Sequence, residues 1–271
     1  MKKFENILLI TDIDGTLVDY SWKISEENKA ATKYFMENGG TFTYATGRQA
    51  PVAQMIIDQL APNAPVICYN GAAIYDYSEK KYLWSCPLDA KSANIIPDII
   101  ENCPLTNIEI NTPDGLFLVT DVPGNMDRYQ KLSSLFKKVD SIDDVPLPWL
   151  KIVFAMTDEY MPVVRNHIQA QPYFKDFQFS QSASWLYELL PFGVNKGTAL
   201  PKLRELLGNK HKVIAIGDNE NDIEFVKAAD IGYAVADGSP LLLAHCENLT
   251  APLHGHALAD VVEKLEKMLN A

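Results

Sequence analysis

Two aspartates, two residues apart, close the first apolar run of the chain: Ile7-Leu8-Leu9-Ile10 passes through Thr11 into Asp12-Ile13-Asp14-Gly15-Thr16. If that run is a strand, Asp12 stands at its carboxyl end and Asp14 reaches the same space, while Gly15 lets the chain turn sharply away. Carboxylates held this close need a compensating positive charge, or one of them must take a proton. A Mg²⁺ ion meets that need, because it takes one or two carboxylates, several waters and phosphate oxygens. A lone D-x-D-G-T also suits an ordinary polar turn after a strand, so its meaning depends on what the rest of the chain brings near it.

Three more segments carry the same kind of chemistry. Phe42-Thr43-Tyr44-Ala45 runs into Thr46-Gly47-Arg48, where a hydroxyl and N–H groups at a helix start make a cradle for phosphate. Lys196 follows Asn195 at the start of a helical pattern. The macrodipole disfavours a cation there, a placement explained if the ammonium faces carboxylates and phosphate. Val213-Ile214-Ala215-Ile216 runs into Gly217-Asp218-Asn219-Glu220-Asn221-Asp222, and three carboxylates within five residues after a buried run are costly without a metal. Arg48, with Asn70 and Gly71 after the run Val66-Ile67-Cys68-Tyr69, also sits at a strand exit and is a candidate substrate contact.

These residues share a position, the end of a short apolar run. Continuous runs of this length suit strands buried on both faces, as in a parallel sheet, and a fifth, Ile231-Gly232-Tyr233-Ala234-Val235, completes the set. Helical patterns alternate with them at residues 25–38, 195–207, 222–229 and 257–269. The first has Ser25 as N-cap, Glu26 and Glu27 in its first turn and Gly39-Gly40 as its stop. Alternation predicts a doubly wound, Rossmann-like α/β sheet, whose ligands bind beyond the carboxyl ends of the strands.

The middle of the chain follows another pattern. Residues 107–120 read as a hairpin turning through Asn111-Thr112-Pro113-Asp114-Gly115, residues 124–138 as a helix, 150–156 as a strand, 158–169 as a helix and 177–190 as a second hairpin. With a helix in residues 91–102, this predicts an α+β module with an antiparallel sheet at residues 85–190, inserted into an α/β core of residues 1–84 and 191–271. Trp149, Phe154, Trp185 and Tyr187 are expected to pack its core.

Composition narrows the function. The 271 residues carry 24 Lys and Arg against 35 Asp and Glu, a formal net charge of −11, which argues against binding to nucleic acid or an anionic membrane surface. No run approaches the length of a membrane span. Cys68, Cys86, Cys103 and Cys246 are scattered, so reduced thiols and a cytoplasmic location are expected.

The four segments in this order resemble the haloacid dehalogenase superfamily of phosphohydrolases: D-x-D-G-T at residues 12–16, the Thr of T-G at Thr46, Lys196, and G-D-x-x-N-D at residues 217–222. The spacing resembles the Cof-type branch, whose large α+β cap lies between the second and third motifs. The resemblance implies Asp12 as a nucleophile forming an aspartyl-phosphate and Asp14 as general acid, then base. It implies Mg²⁺ held by the Asp12 side chain, the Asp14 carbonyl and Asp218. Thr46 and Gly47 would hold phosphate, Lys196 would neutralise it, and Asn221 and Asp222 would support phosphate and metal shell. The implied activity is hydrolysis of small phosphorylated metabolites, sugar phosphates first, then pyridoxal phosphate or flavin mononucleotide. A phosphomutase and a non-catalytic phosphate-ligand sensor are the alternatives. The chain departs from relatives at Ala236-Asp237-Gly238-Ser239 and at His254-Gly255-His256, outside the four motifs. The two histidines suit a turn better than a second metal site.

Overall fold

The computed structural model describes residues 2–122 and 134–270. They divide into two compact units, residues 1–83 with 195–271 and residues 84–194. The sequence reading puts its divisions after residues 84 and 190.

The first unit is built on a five-stranded sheet in the order β14-β13-β12-β1-β2, every pairing parallel. Its strands are β1 (Ile7–Thr11), β2 (Thr41–Tyr44), β12 (Lys212–Gly217), β13 (Ile231–Ala234) and β14 (Asn248–Leu249). Every residue of β1 is buried, as the lack of polar alternation requires of a central strand. Register then decides where the polar residues go. Thr11 pairs with Ile216 on one side and Tyr44 on the other, so Asp12, Gly217 and Ala45 come to one edge of the sheet.

Helix α1 (Glu26–Glu37) starts at Ser25, whose side chain accepts the Asn28 N–H, and packs against α8 (Ala257–Asn270). Helix α2 (Ala50–Ile57) follows β2. Helix α5 (Lys196–Leu206) packs against α6 (Ile223–Ala228), and α7 (Pro240–Leu243) is a single turn.

Strand β3 (Val66–Cys68) departs from the expected parallel arrangement. It pairs antiparallel with β4 (Ala73–Asp76) in a small sheet completed by β5 (Lys81–Ser85), and one bridge, Ala45 to Ile67, ties it to the end of β2. The boundary expected after residue 84 therefore falls inside a strand. Tyr75, Tyr77 and Tyr82 pack edge to face there, an aromatic clustering that stabilises a short sheet.

The second unit holds a six-stranded sheet in the order β10-β11-β9-β6-β7-β8. Its members are β6 (Asn107–Thr112), β7 (Gly115–Leu118), β8 (Phe136–Lys138), β9 (Lys151–Ala155), β10 (Phe177–Ala183) and β11 (Leu186–Pro191), antiparallel except for β7 with β8. Alternate residues of the central strands, Ile108, Ile110, Ile152, Phe154, Tyr187 and Leu189, form its core with α3 (Ile95–Asn102) and α4 (Met161–Ala170). Trp149 joins that core, whereas Trp185 packs against a separate cluster of Val153, Ala155 and Leu186. The helix expected over residues 124–138 is corrected at its end: Phe136–Lys138 is an edge strand, set by its pairing with β7, and residues 123–133 lie outside the described part. Three residues carry too few turns to display a helical or strand period, so pairing decides.

No helix among the described residues is long and apolar enough to cross a membrane. All four cysteines are free thiols.

Candidate active site

At the carboxyl edge of the parallel sheet the structure gathers one lysine and three aspartates. The Lys196 ammonium, on a side chain with no exposure, lies 2.8 Å from Asp12 Oδ1 and 2.7 Å from Asp222 Oδ1. Asp12, Asp218 and Asp222 offer carboxylate oxygens within 4.8 Å of one another. The placement of Lys196 at a helix start is thus balanced by two carboxylates. The start itself is held by a capping box, in which Asn195 Oδ1 accepts the Thr198 N–H at 2.9 Å and Thr198 Oγ1 accepts the Asn195 N–H at 2.9 Å.

Each aspartate is fixed differently. Asp222 is committed on both oxygens, Oδ1 to Lys196 and Oδ2 to the N–H groups of Asp218 and Asn219 at 3.1 and 3.2 Å. Asp218 Oδ1 accepts the Thr16 hydroxyl at 2.8 Å. Gly15 makes that approach possible: its φ is +81°, and a Cβ there would stand 2.2 Å from Asp218 Oδ2. The carboxylate of Asp14 points elsewhere, clasped by Arg48 through Nε at 2.8 Å and Nη2 at 2.6 Å. The Arg48 guanidinium lies 4.2 Å from the ring centre of Trp22, and its Nη1 is buried with no hydrogen-bond partner.

The electrostatics follow from burial. Removal from water pushes the Asp12 carboxyl up to about 7, against the pull of Lys196 and with help from Asp222. Burial also raises Asp218, reinforced by Asp12 and Asp222. Burial alone would lower Lys196, but the flanking carboxylates outweigh it and hold the ammonium charged above its ordinary value. Three carboxylates and one ammonium leave an excess of negative charge in a buried place. A divalent cation fits this donor set. With both Asp222 oxygens committed, Asp12 and Asp218 are the carboxylates suited to hold it, a number that suits Mg²⁺ with waters and phosphate oxygens.

The second wall of the site comes from the β2 and β3 exits. Thr46 Oγ1 accepts the Arg48 N–H at 3.1 Å. Asn221 Nδ2 donates to Asn70 Oδ1 at 3.1 Å, and Asn221 Oδ1 is buried without a partner. A Cβ on Gly47 would stand 3.0 Å from the Asn70 amide, and a Cβ on Gly71 only 2.2 Å from the Asn195 carbonyl oxygen. All eleven candidate residues therefore lie in one unit. Sequence reasoning missed the roles of Thr16 and Trp22. The first belongs to the D-x-D-G-T segment, and its contact could have been sought there. The second has no signal, since it depends on where Arg48 folds. His256 bonds Ser25 through Nδ1 at 3.0 Å at the start of α8, as suits a turn residue.

The haloacid dehalogenase-like hydrolase family model matches residues 9–262, and the chain belongs to that family. It is an enzyme of the phosphatase type. It is 29% identical over 254 residues to the HMP-PP phosphatase of Serratia proteamaculans, covering 87% of this chain and 89% of that one. It is 24% identical over 236 residues to the 5-amino-6-(5-phospho-D-ribitylamino)uracil phosphatase of Bacillus subtilis, covering 85% and 87%. A haloacid dehalogenase-like hydrolase from Bacteroides thetaiotaomicron shares the fold, with a TM-score of 0.79 at 20% identity over 96% of this chain and 100% of the other.

Proposed function

We propose that the protein is a Mg²⁺-dependent phosphomonoester hydrolase of small phosphorylated metabolites, with sugar phosphates as the preferred class, working through an aspartyl-phosphate on Asp12. The observation that carries this reading is the buried pairing of Asp12 with Lys196 beside Asp218 and Asp222. A lysine locked onto a strand-end carboxylate favours the ionised form a nucleophile needs, against the burial that raises it, and orients it.

The roles then follow. An Asp12 oxygen attacks phosphorus and forms the P–O bond as the ester oxygen departs. Asp14 delivers a proton to that oxygen and, once deprotonated, takes one from the water that hydrolyses the acyl phosphate. To act so, Asp14 must leave Arg48, because a carboxylate gripped by two guanidinium bonds is a poor donor. Thr46, Gly47, Lys196 and Asn221 hold the phosphoryl group and offset its charge. Asp12, Asp218 and the Asp14 carbonyl would hold Mg²⁺, which supplies positive charge to the phosphoryl oxygens when bound. Asp222 keeps Lys196 in place. The inserted unit of residues 84–194 is the part we assign to leaving-group selection.

The substrate class draws support from the relatives, one of which is named for a phospho-ribityl compound. The test is phosphate release from hexose, pentose and glycerol phosphates, pyridoxal phosphate, flavin mononucleotide and p-nitrophenyl phosphate, with Mg²⁺ and with EDTA. Metal-dependent release led by a sugar phosphate is expected. Release unchanged by EDTA would overturn the metal assignment, and conversion to an isomer without release would mark a mutase.

A further inference from the structure

Tyr69, Asn70 and Gly71 run consecutively through positive φ, at 54°, 52° and 103°. Two of the three carry side chains, for which this region costs of order 1–2 kcal/mol per residue. The arch is held on both sides. The Tyr69 N–H donates to the Arg48 carbonyl and the Asn70 N–H to the Thr46 carbonyl, each at 3.0 Å. Gly71 lies against the start of α5, where any Cβ would meet the Asn195 carbonyl. Asn70, 2% exposed, accepts the Asn221 amide and sits against Gly47. One strained residue thus meets the Thr46 and Gly47 turn and the Asn221 loop, next to the turn that carries Lys196.

We infer that Asn70 is a positioning residue of the phosphate site: it fixes Asn221 against the Thr46 and Gly47 turn and makes no contact with the leaving group. The assignment rests on the phosphate-site reading above. Asparagine suits the task because it tolerates left-handed backbone better than most residues and carries an amide that can bond in the plane of its neighbour.

The test uses the full chain with Mg²⁺. Inorganic phosphate is titrated calorimetrically into the wild type, Asn70→Gly, Asn221→Ala and the double variant. For wild type and Asn70→Gly, kcat/KM is measured with p-nitrophenyl phosphate and a hexose phosphate. Glycine relieves the left-handed strain at this position, which offsets the lost hydrogen bond, so Asn70→Gly should keep the melting midpoint within a few degrees of wild type, and this separates positioning from a merely structural role. Phosphate affinity and kcat/KM should each fall roughly five- to tenfold, the loss of one buried hydrogen bond, and equally for both substrates. Asn70→Gly should cost almost nothing further in the Asn221→Ala background. Loss differing by substrate would make Asn70 a leaving-group contact and overturn the proposal. Unchanged affinity, or full additivity with Asn221→Ala, would also overturn it. Wild-type protein that neither binds phosphate nor releases it from either substrate would overturn the phosphate-site reading itself.

Discussion

Replacing Lys196 by Met keeps the length of the side chain and removes its charge. The ammonium is fully buried between Asp12 and Asp222, so the substitution strands two buried carboxylates beside a third, Asp218. Breaking a buried ion pair by removing one partner costs about 3–5 kcal/mol. At roughly 2–4 °C per kcal/mol for a domain of this size, the midpoint should fall by about 6–20 °C. The assay is calorimetric melting of metal-free protein. The loss should be larger at pH 8 than at pH 5.5, because protonation of Asp12 and Asp218 relieves the repulsion, and smaller with Mg²⁺ added or with Asp222→Asn as a second change. A midpoint within about 2 °C of wild type at both pH values would show that the lysine is not balancing those carboxylates.

Asp12 makes a prediction with a definite sign. In the folded, metal-free protein its carboxyl sits near 7, above its ordinary value, so the proton it keeps contributes stability that is present at low pH and lost as pH rises through about 7. The midpoint of wild type relative to Asp12→Asn should therefore fall between about pH 4 and pH 7, and a rise over that window would contradict the assignment. Gly15→Ala forces a side chain into φ +81° and against Asp218 Oδ2. The Mg²⁺ concentration for half-maximal activity should rise at least about tenfold, the effect of losing one metal-orienting contact, and an unchanged metal requirement would refute the role of Asp218. Arg48→Ala releases Asp14 from two hydrogen bonds. Turnover of a sugar phosphate should change by a larger factor than that of p-nitrophenyl phosphate, whose leaving group needs no proton, and equal changes would detach Asp14 from leaving-group protonation.

The parallel core was legible because its strands are apolar throughout and end abruptly in polar residues, a pattern that only two-sided burial explains. Register does the rest: once Thr11 pairs with Ile216 and Tyr44, Asp12 and Gly217 must reach the same edge of the sheet. The start of α5 was legible too, at Asn195, which the structure makes its N-cap. Other features depend on tertiary partners that no local pattern encodes. Nothing near Arg48 announces that its guanidinium closes on Asp14 under Trp22. The left-handed conformation of Tyr69 and Asn70 is imposed by hydrogen bonds to Arg48 and Thr46. Residues 73–85 alternate too briefly to announce a hairpin, and their aromatic packing settles it. Phe136 reads as a helix end until Leu116 is placed beside it.

The central claim is covalent chemistry at Asp12, and acid quenching tests it most directly. Enzyme and excess sugar phosphate are mixed with Mg²⁺, quenched within milliseconds to seconds, digested and analysed by mass spectrometry. The account predicts a phosphoryl group on the peptide that carries Asp12, at the Asp12 carboxylate, absent from Asp12→Asn, which should fold and release no phosphate. Steady turnover by Asp12→Asn, or a phosphoryl group found on another residue, would contradict it.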